Sequence, residues 1–227
     1  AALRGIAARH GYDWCIPPFH RSGIENYSLH NCFKLESVKE NNVNYLDHFQ
    51  YVQERFFNFD KELFEQCPDN VSLHGFFQSE KYFKHIEDEI RSDFDVHDEL
   101  LIPAKDIRSQ WREPIALHIR RTDYKTNPNL TALSMDYYEK ALSEFDDSSE
   151  VIIFSDEPQW CMEQKLFESD RFMISETGNN YMDMCLMTLC SRHIIANSSF
   201  SWWGAWLSSS QKVVAPSDWF KGSNNET

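Results

Sequence analysis

Three short segments carry residues whose types and spacing suit chemistry on a charged ligand. The first is His118-Ile119-Arg120-Arg121-Thr122-Asp123-Tyr124. Two adjacent arginines in a chain with 22 basic and 36 acidic residues do not read as solubilising charge. A guanidinium fork matches a pair of diphosphate oxygens and stays charged when partly buried. Asp123 can orient one arginine and His118 can donate to a ligand; the competing reading is a structural Arg–Asp ion pair. The second segment is Phe154-Ser155-Asp156-Glu157. Its carboxylate can accept paired N–H donors from a nucleobase or a ribose hydroxyl, or Ser155 and Asp156 can cap the helix that Pro158 opens. The third is Asn197-Ser198-Ser199-Phe200-Ser201-Trp202-Trp203-Gly204-Ala205-Trp206. Hydroxyls and free N–H groups at a helix start suit phosphate, while Trp203 and Trp206 read as core. The composite is a nucleoside diphosphate held by arginine on one side and by a helix start on the other. The Asp-x-Asp element, Asp93-Phe94-Asp95, reads as the solvated face of an acidic helix. No metal site is therefore assigned, and arginine takes the metal's part in neutralising a leaving group.

These segments need strand ends to hold them. Ile115–Ile119 and Val151–Phe154 are compact apolar runs of the kind buried in a parallel sheet, and His193–Ala196 and Lys212–Ala215 read as further strands. Between them, helices are predicted at Met135–Phe145 with Ser134 as N-cap, at Glu157–Phe167, and at Trp202–Leu207. Met182, Cys185, Leu186, Leu189 and Cys190 give another amphipathic helix. This alternation predicts an α/β parallel sheet with ligands beyond the carboxyl ends of its strands. The first half is less regular. Residues 1–10 predict a helix ended by Gly11, Tyr12–Pro17 a short strand, 19–45 a polar loop-rich stretch and 71–77 a strand. A short helix is predicted over Gln78–Ile86 with Ser79 as N-cap, and a second through Ile86–Leu101. Residues 103–113 read as the join between two halves, 1–110 and 111–227, and Gly222 to Thr227 as a frayed tail.

Composition narrows the class. A formal charge of −14 opposes a nucleic-acid partner. With 17 Phe, 9 Tyr and 7 Trp the chain needs a core or a binding surface, which excludes disorder. No apolar run reaches the roughly 18 residues of a membrane span, and no signal peptide is visible. The six cysteines, at 15, 32, 67, 161, 185 and 190, form no Cys-x-x-Cys pair, so buried free thiols are expected at 185 and 190. Five Asn-x-Ser/Thr sequons occur at Asn26, Asn70, Asn129, Asn197 and Asn225; Asn197 falls in a turn expected to be buried, which argues against a glycan there.

The three chemical segments together resemble the signature of the alpha-1,2-fucosyltransferases, glycosyltransferase family 11. Gly75-Phe76-Phe77-Gln78-Ser79-Glu80-Lys81-Tyr82-Phe83 is similar to another stretch of that family, and Ala215-Pro216 with Trp219-Phe220 resembles its C-terminal end. The match spans roughly 70 to 220, with its motifs in the family's order. Singly, the Arg-Arg-x-Asp element also fits the alpha-1,6- and protein O-fucosyltransferases; the serine- and tryptophan-rich run is far more specific. The resemblance implies a GT-B-like fold of two Rossmann-like domains with parallel sheets. The acceptor-side domain, 1–110, would be incomplete because the family's opening Gly-rich loop is missing. GDP-fucose would bind the second, 111–227. It implies inverting, metal-independent transfer of fucose to the 2-hydroxyl of a terminal galactoside, with no cofactor beyond the donor substrate. By the same resemblance Arg120 would hold the β-phosphate of GDP and stabilise it as it leaves. His118 and Asp156 would lie near the guanosine and Ser199, Phe200 and Ser201 near the diphosphate, with Asn197 and Ser198 also binding substrate. Arg121 and Asp123 would touch fucose or support its contacts, and Asp123 is the candidate general base. The family often has Gly in place of Thr122 and a second Asp in place of Glu157. Alternatives are a non-catalytic sugar-nucleotide or glycan-binding module, and a fucosyltransferase acting on another acceptor. The expected location is a membrane-associated compartment, the Golgi lumen, for a eukaryotic protein and the cytoplasm for a bacterial or viral one.

Overall fold

The computed structural model describes residues 1–16, 29–39, 50–55, 57–127, 129–208 and 210–220. The chain forms two compact units, Ala1–Asp95 and one beginning at Val96. The division therefore falls before residues 103–113, not within them. The reason is local: helix α4 (Asp98–Ser109) runs through Pro103 and packs on helix α7 (Asn180–Thr188). The Arg108 guanidinium fastens its last turn, donating to the carbonyls of Leu189 at 3.2 Å and Trp111 at 2.7 Å.

In the first unit, α1 (Ala2–His10) ends at Gly11, as expected. Strand β1 (Gln50–Gln53) pairs in parallel with β2 (Val71–His74). Helices α2 (Lys61–Gln66) and α3 (Glu87–Asp93) follow β1 and β2 respectively. Tyr12–Ile16 is not a strand; only Ile16 bridges, its N–H donating to Lys39 carbonyl at 3.0 Å. Residues 78–86 form two 3₁₀ turns, Glu80–Tyr82 and Lys84–Ile86, rather than one helix, and Ser79 Oγ accepts the Lys81 N–H at 3.4 Å. The acidic stretch is broken between α3 and α4. Asp93 is not on a solvated face: it is buried and paired with Arg4, and Ser37 Oγ donates to it. Its neighbour Asp95 is exposed beside Lys34. Among the described residues no group of three or more His, Cys, Asp or Glu could hold a metal ion. Sequons Asn26 and Asn225, part of the 19–45 stretch and the tail lie outside the described residues.

The second unit is a five-stranded, all-parallel sheet. Its strands are β3 (Ile115–Ile119), β4 (Val151–Ser155), β5 (Phe172–Ile174), β6 (Arg192–Ile194) and β7 (Lys212–Val214), in the order β5-β4-β3-β6-β7. This is a Rossmann-type order: the chain builds outward from β3, then crosses back to add β6 on its other side. The α/β class with parallel sheets is as expected. Strand β5 was not legible, being three residues that are each only half-buried.

Alternation along β3 and β4 divides the core. Ile115, Leu117, Ile119, Val151 and Ile153 pack with Tyr138, Ala141 and Leu142 of α5 (Met135–Leu142) and Cys161 of α6 (Pro158–Met162). The predicted helix at 157–167 stops at Met162 and resumes as a 3₁₀ turn, Lys165–Phe167. On the opposite face lie Ala116, His118 and His193, with α7 and α8 (Ser199–Leu207) covering them; α8 begins three residues earlier than expected. Ser134 precedes α5 but makes no capping hydrogen bond. Cys185 and Cys190 are buried free thiols, both pushed up to about 11 by burial, so they stay protonated at neutral pH.

His193 is held neutral between α7 and β7. Nε2 faces the Met187 carbonyl and Nδ1 the Ser210 hydroxyl, each at 2.9 Å, so Nε2 carries the proton. Burial pushes His193 down to about 4, and burial with the charge of Arg120 pushes His118 down to about 3. The unfolded chain takes up protons below about pH 6.5 and the folded chain does not. This stabilisation is complete above that value and declines as pH falls towards 4. Each histidine then removes roughly 2 kcal/mol by pH 5. Half-buried Asp183, whose carboxyl is raised by desolvation, works in the opposite sense. Urea unfolding at pH 7 and pH 5 should show the loss, and His193→Gln should shed about half of it. An unchanged pH dependence in the variant contradicts the assignment.

Candidate active site

The strand order puts the topological switch between β3 and β6, and the predicted segments follow β3, β4 and β6, three neighbouring strands. The loops are stitched together. Tyr124 hydroxyl donates to the Asn197 carbonyl at 2.9 Å, and the rings of His118 and Phe200 lie 5.5 Å apart.

Arg120 sits at the end of β3 between two carboxylates. One terminal nitrogen, Nη2, is 2.7 Å from Asp123 Oδ1, and the other, Nη1, is 3.2 Å from Asp156 Oδ2. Its guanidinium carbon lies 5.6 Å from the centre of the Tyr124 ring, within cation–π range. Asp123 is half-exposed, at 56% for its side chain. Arg121 turns the other way. Its guanidinium stacks 3.6 Å over Trp160 and its Nε donates to Glu157 at 2.9 Å, with Lys125 also on Glu157. Of the two adjacent arginines, then, one pairs with the carboxylates at the strand ends and the other is packed on Trp160.

Asp156 fastens the loop that carries Arg120. Oδ1 accepts the Arg121 N–H at 3.0 Å; Oδ2 accepts the Thr122 N–H at 3.1 Å and the Thr122 hydroxyl at 2.5 Å. Burial alone would raise this carboxyl, but the Thr122 hydroxyl, the Arg120 charge and the two N–H groups outweigh it and hold it below the usual carboxylate range. Neither Ser155 nor Asp156 caps the helix: its N-cap is Glu157, with no side-chain capping bond, and Ser155 Oγ accepts the Glu157 N–H at 3.0 Å. Because Asp156 fixes the arginine through backbone contacts, Asp156→Asn is expected to lower kcat/KM by about 10- to 100-fold without unfolding the sheet. Wild-type kinetics in a folded Asn variant would remove it from the site.

The third segment divides by depth. Asn197 is buried, and its amide donates to the carbonyls of Thr131 at 3.2 Å and Trp219 at 3.0 Å. The sequon there is thus closed to a glycan, as expected. Ser198 is buried at the N-cap of α8 but makes no side-chain capping bond, which leaves the N–H groups of Ser199, Phe200 and Ser201 for another acceptor. The Ser201 hydroxyl faces the Ala196 and Ser198 carbonyls, at 3.5 and 3.3 Å, and only Ser199 is exposed. The helix start therefore offers backbone donors more than hydroxyls. Two buried polar atoms at these strand ends, His118 Nδ1 and Asn197 Oδ1, have no hydrogen-bond partner. Such atoms call for an acceptor or donor from outside the fold.

Sequence reasoning passed over Thr122, Tyr124, Glu157 and Trp160 as working parts of this site. A signal was present for Tyr124, four residues after Arg120 in a turn, and for Trp160, one turn into the helix opened by Pro158.

Comparison with known proteins gives the family. The chain is 33% identical over 187 residues to the O-antigen biosynthesis glycosyltransferase WbnK of Escherichia coli, covering 75% of this chain and 62% of WbnK. It is 29% identical over 234 residues to an alpha-1,2-colitosyltransferase of Escherichia coli, covering 88% of this chain and 80% of that protein. A galactoside alpha-(1,2)-fucosyltransferase 1 of Alouatta belzebul is 26% identical over 63% of this chain and 44% of its own length. The chain thus spans less than two thirds of WbnK and less than half of the primate enzyme. Among solved structures, POFUT1 in complex with GDP overlays with a TM-score of 0.45 and 15% identity, covering 64% of this chain and 55% of the other. The profile of glycosyl transferase family 11 matches residues 16–224, nearly the whole sequence, and the chain belongs to that family.

Proposed function

We propose that this glycosyltransferase transfers L-fucose from GDP-fucose to the 2-hydroxyl of a terminal galactoside, with inversion at the anomeric carbon and without a metal ion. The observation that carries the reading is Arg120, fixed at the end of β3 beside the uncapped start of α8. A guanidinium fork and a row of backbone N–H groups at adjoining strand ends suit the two phosphates of GDP. As the C1–O bond to the β-phosphate breaks, Arg120 neutralises the charge that develops, the part a metal would otherwise play. The acceptor 2-hydroxyl attacks C1 from the opposite face and gives up its proton. Asp123 is the group we assign to take it: its half-exposed carboxylate stands beside Arg120, 2.7 Å from Nη2. His118 and Asn197 supply the buried polar atoms for the nucleoside side, whereas Asp156 and Arg121 position the arginine loop. Acceptor recognition is assigned to the first unit and donor binding to the second.

The test is incubation of the chain with GDP-fucose and a β-galactoside in EDTA, with the product linkage read by NMR. Fucose in α-1,2 linkage supports the proposal. GDP bound without any sugar release favours the non-catalytic module, and transfer only to other acceptors favours the third alternative. The 29% identity to a colitosyltransferase over 88% of the chain favours one variation, a donor sugar lacking the 3-hydroxyl. Competition between the two GDP sugars in one reaction separates them.

Among the described residues no helix is long and apolar enough to cross a membrane. Two relatives that match 75% and 88% of this chain come from Escherichia coli, which supports the cytoplasmic reading.

A further inference from the structure

In the first unit the turn that follows β2 is fastened to a buried carboxylate. Beyond the end of β2, residues 75–77 turn sharply over the buried side chain of Glu54. Its Oε2 accepts the N–H of Phe76 at 2.9 Å and of Phe77 at 2.7 Å, and its Oε1 accepts the Tyr82 hydroxyl at 2.8 Å. Phe77 has φ +49°, a strained region for a bulky residue. At Gly75 a Cβ would lie 2.5 Å from Glu54 Cβ and 2.7 Å from Oε2, so a side chain is excluded. A buried carboxylate and a strained aromatic residue both cost stability.

What they fix in place is Phe76, 71% exposed, its ring 5.2 Å from that of Phe57. A single exposed phenylalanine needs no explanation. One whose backbone is pinned by a buried carboxylate, at the carboxyl end of a parallel strand, is a preorganised contact surface. Two positions away in sequence on either side, His74, whose ring lies 4.6 Å from that of Tyr51, and Gln78 are also exposed, an imidazole and an amide. An open aromatic face bordered by hydrogen-bonding side chains suits a pyranose, whose C–H face packs on the ring while its hydroxyls meet the polar rim.

We propose that Phe76 is the stacking platform for the acceptor sugar, with Glu54 as its positioning residue and His74 and Gln78 as the polar rim. This deepens the proposed function and rests on it for the identity of the sugar, a β-galactoside.

The experiment is calorimetric titration of lactose and N-acetyllactosamine into the GDP-bound chain, for wild type, Phe76→Ala and Phe76→Trp. Hydrogen exchange at Leu63, Phe64 and Tyr82, measured first, reports that the first unit of each variant is folded. The expected result is roughly tenfold weaker galactoside binding in Phe76→Ala and recovery in Phe76→Trp, with GDP affinity unchanged. Equal galactoside binding in wild type and Phe76→Ala would overturn the platform. So would a wild-type chain that binds GDP and neither galactoside. Failure of the transfer reading shows separately, as a wild-type chain that takes up galactoside at Phe76 but never releases GDP from GDP-fucose.

Discussion

Arg120→Ala is expected to reduce kcat/KM for sugar transfer by about 10³-fold or more, while the sheet of the second unit stays intact. The size follows from the role we propose for the side chain. Charge develops on the β-phosphate as the sugar leaves, and a fork donor already fixed at that position stabilises the transition state more than the ground state. The arginine is held by Asp123 and Asp156, so the fold itself sets its orientation. Removing it should spare the fold, because Asp156 keeps the N–H groups of Arg121 and Thr122 and the Thr122 hydroxyl. Arg120→Lys should recover little: an ammonium restores the charge but not the two parallel donors. The competing reading, that Arg120 serves only as an ion pair, predicts a modest loss of stability and near-normal turnover in the folded variant. Steady-state kinetics with matched circular dichroism decide between them.

The second unit was largely legible because its signals are local. β3 and β4 are continuous apolar runs, and a run buried on both faces belongs in the middle of a parallel sheet. Once those strands are placed, the arginine pair and the Asn-Ser-Ser run fall at strand ends by spacing alone. What spacing does not give is where side chains turn. Arg120 and Arg121 are adjacent, yet one pairs with the strand-end carboxylates and the other lies on Trp160; only the pairing of Arg121 with Glu157, 36 positions away, decides which. Asp156 read equally well as a ligand acceptor, a cap or a brace, because a carboxylate satisfies whichever N–H groups the fold brings to it. In the first unit the signals are non-local. Asp93 looks solvated within its acidic run, and its partner Arg4 lies at the other end of that unit's sequence. The 3₁₀ turns at 80–86 replace a helix because Tyr82 is drawn inward to Glu54 and Asp60, a tertiary demand that local propensity does not contain.

That same tyrosine makes Gly5→Ala the most damaging small substitution in the first unit. By propensity alone the change should stabilise α1 by about 1 kcal/mol, since glycine is a poor residue inside a helix. The packing reverses this. A Cβ at position 5 would lie 2.0 Å from the Tyr82 carbonyl oxygen, and 2.8 Å from both the Tyr82 carbonyl carbon and Phe83 Cα. All three are backbone atoms, so no side-chain rotation relieves the clash and α1 must move away. Tyr82 cannot follow freely: its hydroxyl accepts the Asp60 N–H and donates to Glu54, each at 2.8 Å, and its ring packs on Phe59 and Phe77. Displacing it loosens the carboxylate that pins Phe76. The expected cost is about 3 kcal/mol, the upper end for overpacking. Hydrogen exchange should therefore accelerate by about 100-fold at Leu63, Phe64 and Tyr82, with β3 and β4 unaffected. GDP binding should survive and galactoside binding should weaken. Faster exchange in β3 as well would show that the two units unfold together, and a stabilised α1 would show that the contact with Tyr82 is not what requires glycine there.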